Sequence, residues 1–311
     1  MSGRGAGALL ALLVTGLIAV GCGGNKGGGG GTQGAAQPGK GKPTLTLGTK
    51  DFTEEFVLGQ LYKQALEAQG YKVNLKSNIG ATEITDRAMT SGKIDAYPEY
   101  TGETLATVFN KNVLTGSAQK TAAIAKQLYA KRGQVVSNPT PFEDVDAIAT
   151  TKAFAQKNGL QAVPDLKKLN SFSLGARPEF KSRFVGLKGM QTVYGINNAR
   201  FRQLALGLQY KALDRGDVDT ANVFSTDAQL ASGKYTVLKD PRGVFGFQNV
   251  YFVINKAKYE ALGGPQFMAV INKVNALLTE EAMRSMNSAV DIDKKDPAEV
   301  AKTFLQANKL T

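Results

Sequence analysis

Between Ile94 and Leu105 the chain reads IDAYPEYTGETL, which puts Tyr97, Glu99, Tyr100 and Glu103 within seven residues. Two carboxylates this close are the equipment of a glycosidase or a transferase working by general acid and base catalysis. No nucleophile–base pair, metal cluster, phosphate-cradling loop or cofactor fingerprint accompanies them. The chain has no histidine, so His general bases, Ser-His-Asp triads and His-based metal sites are excluded. Its single cysteine excludes an internal disulfide and a CxxC site. Two functional readings therefore stand beside a surface turn whose tyrosines merely cap a core. One is a ligand site at a strand end, and the other is an exported enzyme built on a carboxylate pair.

The alternation Ile94 to Tyr97 predicts a strand. Pro98 and the Thr101-Gly102 turn signal end it, with a helix starting near Thr101. Upstream, Thr44 to Gly48 alternates as a strand that delivers Lys50 to its end. Thr53 is the expected N-cap of a helix from Glu54 to Gln69, and Gly70 its C-terminal stop. A strand at Tyr71 to Leu75 and a helix at Thr82 to Ser91 follow, then a helix at Gln119 to Lys131. Further on, strands are expected at Ser171 to Gly175, Val218 to Phe224, Tyr235 to Leu238 and Val250 to Ile254. A helix is expected at Gln203 to Arg215, and the tail from Pro265 to Leu310 is expected to be helical. Strands alternating with helices predict an α/β fold with parallel sheets covered on both faces. Ligands of such sheets sit beyond the carboxyl ends of the strands, near helix N-termini.

Residues outside this pattern speak to location. A run of apolar and small residues from Leu9 to Val20 has the length of a signal-peptide core and ends at Ala19-Val20-Gly21-Cys22. Residues 23–43, rich in Gly, Lys, Gln, Ala and Pro, are expected to form a flexible tether. The 311 residues carry a formal charge of +12, but the lysines are scattered and no arginine-rich block appears. The charge therefore reads as a solvated basic surface, not a nucleic-acid interface.

Several blocks in one order carry a resemblance: LGTKDFTEEFVLGQLYKQALEAQGYKV, AYPEYTG and FSTDAQL. Together they resemble the substrate-binding proteins of osmoprotectant ABC importers, the glycine betaine/choline/carnitine-binding family, from about Leu45 to Leu305. The resemblance implies a two-lobe, type II periplasmic-binding-protein (venus-flytrap) fold with two inter-lobe crossings. Lobe 1 is then 44–145 with 249–311, and lobe 2 is 146–248. Small residues before a cysteine resemble a lipobox, with 1–22 a lipoprotein signal peptide and Cys22 the lipidated residue. The implied protein is exported and lipid-anchored. Its partners are a small-molecule ligand and the permease and ATPase of an importer, with no nucleic acid, cofactor or metal.

The resemblance also implies ligand residues. Tyr100 and Phe224 match walls of the family's aromatic box, while Asp146 and Gln248 fall where two further tyrosines stand. Lys50 and Arg183 match the cations that hold a ligand carboxylate, with Arg177 as second choice for the arginine. Glu103 falls on a threonine that touches that carboxylate. The implied ligand is a small quaternary-amine osmolyte. The incomplete box and added acids also suit an amino-acid-like or polyamine cation, because such cations donate N–H bonds and a trimethylammonium does not.

Overall fold

The computed structural model describes residues 37–311. The expected signal peptide, Cys22 and most of the tether lie outside them. Among the described residues, ten strands are interspersed with eleven α-helices and five short 3-10 or π segments. The strands are β1 (Leu45–Gly48), β2 (Val73–Lys76), β3 (Ala96–Tyr100), β4 (Gln134–Val136), β5 (Asp146–Thr151), β6 (Phe172–Ala176), β7 (Ala199–Gln203), β8 (Thr220–Phe224), β9 (Tyr235–Leu238) and β10 (Val250–Asn255). The helices are α1 (Thr53–Ala68), α2 (Thr82–Thr90), α3 (Thr101–Glu103), α4 (Ala118–Lys131), α5 (Lys152–Asn158), α6 (Leu187–Gly189), α7 (Gln209–Asp214), α8 (Lys256–Ala261), α9 (Pro265–Leu277), α10 (Glu280–Asp291) and α11 (Pro297–Ala307). No helix among the described residues is long and apolar enough to cross a membrane.

Two five-stranded sheets result, in the orders β2-β1-β3-β10-β4 and β7-β6-β8-β5-β9. The chain passes from the first to the second between β4 and β5, and returns between β9 and β10. The crossings touch through a Glu143–Asn249 bridge and a bond from the Asp144 amide to the Gln248 carbonyl. This is the two-lobe type II architecture. Neither sheet is purely parallel, contrary to the expectation from alternating strands and helices. In each, the strand adjoining a crossing runs antiparallel: β10 against β3 and β4, and β5 against β8 and β9. A strand entering from the other lobe arrives at the opposite end of the sheet, so no βαβ crossover orients it.

Each lobe has two buried apolar clusters. In the first, Leu47, Leu58, Phe252 and Phe267 share one cluster, and Ile94, Tyr97, Tyr129 and Val253 share the other. In the second, Phe172, Leu174 and Phe180 share one, and Leu213, Val218 and Val223 share the other. Neighbouring residues of one strand, such as Phe252 and Val253, point to opposite faces, so both faces of the first sheet are covered.

Three local expectations are corrected. The strand expected to stop at Tyr97 continues through Pro98 and Glu99 to Tyr100, all buried, paired with Val250–Ile254 of β10. The Thr101 amide donates to the Asn249 carbonyl, so odd-numbered residues of β3 face β10. Pro98 then sits at a non-hydrogen-bonded position, and its missing N–H breaks no bond of that ladder. Thr53 does not cap α1. Phe52 holds the cap position, and the Thr53 hydroxyl donates to Asp291 at 2.6 Å. The flexible tether expected over 23–43 is ordered from Gln37 onward. The Gly39 amide donates to the Gln69 carbonyl at the end of α1, and a Cβ there would lie 2.2 Å from the Tyr71 nitrogen, which only glycine tolerates.

Candidate functional site

The chemistry converges where the two sheets face each other. Lys50 follows β1, Tyr100 ends β3, Arg177 follows β6 and Phe224 ends β8. The two antiparallel strands contribute from their amino ends. Asp146 begins β5 in register with Phe224, and Gln248 precedes β10, whose Val250 is in register with Tyr100. One edge of each sheet is thereby loaded with functional groups, as open α/β sheets load their carboxyl ends.

All seven expected residues, Lys50, Tyr100, Glu103, Asp146, Arg183, Phe224 and Gln248, line one small cavity. Arg177, Asp144 and Phe52 line it as well. Phe52, absent from the sequence reading, lies between the two expected walls. Its ring stacks on Phe224 at 5.5 Å and 15°, and on Tyr100 at 6.1 Å and 28°. The available signal was its position two residues after Lys50, at the same strand end.

The charged groups are already paired. Lys50 Nζ lies 2.5 Å from Glu99 Oε1 and 3.7 Å from Glu55 Oε1, all buried. Burial alone would pull the lysine down, but the adjacent Glu99 and Glu55 outweigh it and hold the ammonium charged. The same ammonium sits 4.2 Å from the centroid of the Tyr100 ring. Arg177 binds Asp146 through two bonds of 2.7 and 2.8 Å. Asn222 bonds to both partners, and the guanidinium lies 5.0 Å from the Phe224 centroid. The Asp146 carboxylate therefore meets an arginine of its own lobe, where a free acceptor was expected. Arg183 reaches across to lobe 1, donating to Glu83 at 2.7 and 3.2 Å and to Glu103 at 3.2 Å.

Gln248 lines the cavity, but its amide is engaged in the turn beneath. Its Oε1 accepts from the Gly102 and Glu103 amides at 3.0 and 3.1 Å, and its Nε2 donates to the Phe245 carbonyl. It anchors the start of α3 to the second crossing, bringing Glu103 to the cavity.

Behind the rings lies a carboxyl pair. The Tyr100 hydroxyl donates to Glu54 Oε1 at 2.8 Å. The Thr226 hydroxyl lies 2.8 Å from both Glu54 Oε2 and Asp144 Oδ1. A hydroxyl has one hydrogen, so it donates to one carboxyl group and accepts from the other, which must carry a proton. Burial agrees with this. It pushes Glu54 up to about 7 and Asp144 well above the usual carboxylate range. The pair joins lobe 1, the first crossing and lobe 2.

A family model described as the substrate binding domain of ABC-type glycine betaine transport system, OpuAC, matches residues 43–307. The chain belongs to this family. The glycine-betaine-binding protein of Pseudomonas aeruginosa is 32% identical over 279 residues, covering 86% of this chain and 88% of that protein. The carnitine transport binding protein OpuCC of Listeria monocytogenes is 27% identical, covering 87% of this chain and 88% of its own length. Among solved structures, apo YehZ from Escherichia coli superposes with a TM-score of 0.63 at 25% identity, over 86% of this chain and 99% of that one. A glycine betaine/carnitine/choline ABC transporter structure gives a TM-score of 0.69 at 24% identity, over 86% of this chain and 99% of that one. Members of the OpuAC family are extracytoplasmic receptors. They bind small molecules and work with a permease and an ATPase.

Proposed function

We propose that this chain captures a small quaternary-amine osmolyte of the glycine betaine/choline type in the cavity between its lobes and passes it to an ABC importer. The observation that carries this reading is the ring stack Tyr100–Phe52–Phe224 lining an inter-lobe cavity rich in carboxylates. Each ring face attracts a desolvated cation by about 0.5–2 kcal/mol. Lys50, Glu103, Asp146, Arg183 and Gln248 complete the lining as the polar part of the site. Glu103 acts in binding at the cavity wall, held by Arg183, and Glu99 acts indirectly by holding Lys50.

Calorimetry with choline, glycine betaine and carnitine tests this. At least one should bind the wild type, and Tyr100→Ala and Phe52→Ala should each weaken that ligand tenfold or more. Binding unchanged by both substitutions would remove the rings from the site.

A second reading has its own support: Asp51 and Glu179 line the cavity with no cation within 4 Å among the described residues. They offer acceptors to an amino-acid-like or polyamine cation, which the same titration with basic amino acids and polyamines would reveal.

Cys22 is the proposed lipid attachment point. Cys22→Ala should abolish acylation, read by mass spectrometry, and release the protein from membranes.

A further inference from the structure

The three cations that line the cavity are each paired with protein carboxylates. Lys50 is held by Glu99, Arg177 by Asp146, and Arg183 by Glu83 and Glu103 together. In Arg183, Nε, Nη1 and Nη2 each donate to a carboxylate, so two negative charges face one positive charge. Glu103 is itself fixed. Its Oε2 accepts from the Thr107 hydroxyl at 2.6 Å, and its backbone amide is held by Gln248. Asp51 and Glu179 add acid to the lining without a paired cation. A carboxylate brought by a ligand would meet guanidinium groups whose charge protein carboxylates already neutralise. Placed near Arg183, it would also stand beside Glu103, only 6% exposed, where water screens like charges poorly. An ammonium group meets the opposite condition, a wall where two carboxylates face one guanidinium.

We infer that Glu103, by neutralising Arg183 at the cavity wall together with Glu83, is a specificity-determining residue that disfavours ligand carboxylates and makes the site select carboxylate-free quaternary ammonium cations over zwitterions. This rests on the reading of the cleft as a quaternary-amine site. The two probes are choline and glycine betaine, which share a trimethylammonium and differ in carrying a hydroxyl or a carboxylate.

Calorimetry on the wild type should give choline a Kd at least tenfold below that of glycine betaine. Glu103→Gln removes the charge and keeps the shape. It should shift the ratio of the two Kd values about tenfold towards glycine betaine, a change that loosened packing, which weakens both probes alike, would not produce. Glu83→Gln acts on the same guanidinium from a half-exposed position and should move the ratio in the same direction, which covers the case in which Glu103→Gln fails to fold. Tighter binding of glycine betaine than choline by the wild type overturns the inference and leaves the quaternary-amine reading intact. So does a ratio that neither substitution moves. If the folded wild type binds neither probe, the quaternary-amine reading falls and the selectivity falls with it.

Discussion

The two lobes share a plan and differ in the charge they bury. Both are five-stranded sheets with one antiparallel strand next to the edge, and both present one loaded sheet edge to the cleft. Lobe 1 buries acids: Glu54, Glu55, Glu99 and Glu103, with Asp144 at its crossing and Lys50 as the only buried cation of the lobe among the described residues. Lobe 2 buries arginines, Arg177 and Arg183, with Asp146 beside the first. Arg177 finds its carboxylate within its own lobe, whereas Arg183 finds both of its carboxylates on the other. One ion pair therefore belongs to the folding of a lobe, and the other exists only while the lobes are together.

The largest effect is expected at Arg177. Arg177→Met leaves Asp146 buried and uncompensated, which costs about 3–5 kcal/mol in comparable pairs. Urea unfolding without ligand should show this, and adding Asp146→Leu should recover most of it. A loss below about 1 kcal/mol would mean that water reaches Asp146 and that the pair is not a structural element of the lobe.

Next in size is a pH effect from the acids of lobe 1. Glu54 is raised from 4.5 to about 7 and Glu55 to about 8, both chiefly by burial. The folded protein then holds protons that the unfolded chain releases. Their contribution is fully present below pH 4.5 and is lost as pH rises through about 7 to 8. Unfolding free energy should fall over that window. Glu54→Gln should flatten the fall by up to about 3 kcal/mol, at roughly 1.4 kcal/mol per pH unit. An unchanged slope would show that Glu54 is ionised when folded and that the shared-proton arrangement at Thr226 is wrong.

How far these regions were legible in the sequence follows the same division. Residues placed by their own strand ends could be read locally, and Lys50, Tyr100 and Phe224 all reach the cavity. What the sequence hid depends on partners far along the chain. The strand through Pro98 is specified by β10, some 150 residues later, so its own period breaks while it continues to pair. The helix expected over Gln203 to Arg215 shrinks to Gln209–Asp214, because Gln203 ends β7 in register with Ala176. Arg177 ranked behind Arg183 because only the antiparallel entry of β5 brings Asp146 to the end of β6. Phe52 was overlooked because its spacing from Lys50 marks only the strand end, and its stacking between two rings from different lobes depends on the fold.

Arg183 sharpens the comparison with a smaller stability effect and a larger conformational one. Arg183→Met removes three inter-lobe bonds, but Glu83 is half-exposed and can be resolvated when the lobes part. A loss of about 1–2 kcal/mol in unfolding is expected. Small-angle scattering should show a larger ligand-free radius of gyration than wild type, as hinge opening requires. Arg177→Met should not show this. An equal expansion in both variants would erase the distinction between a lobe-forming and a lobe-joining pair.

The smallest effect is expected on the surface, where the same chemistry loses its leverage. Lys63 and Glu67 on α1 form an i,i+4 pair at 2.5 Å, as short as the contact of Lys50 with Glu99. Their side chains are 29% and 39% exposed, against 4% and 0% for the buried pair. Distance is thus held constant while burial changes. Water already stabilises each surface charge, and Lys precedes Glu, the weaker order against the helix dipole, so the pair contributes about 0.2–0.5 kcal/mol at most. Glu67→Gln should leave urea unfolding almost unmoved at any salt concentration. Glu99→Gln should remove the acid nearest Lys50 and cost several times more, with Glu55 as the remaining partner at 3.7 Å. Equal losses at the two sites would show that water reaches the Lys50 pair, and the buried acids of lobe 1 would then differ little from its surface.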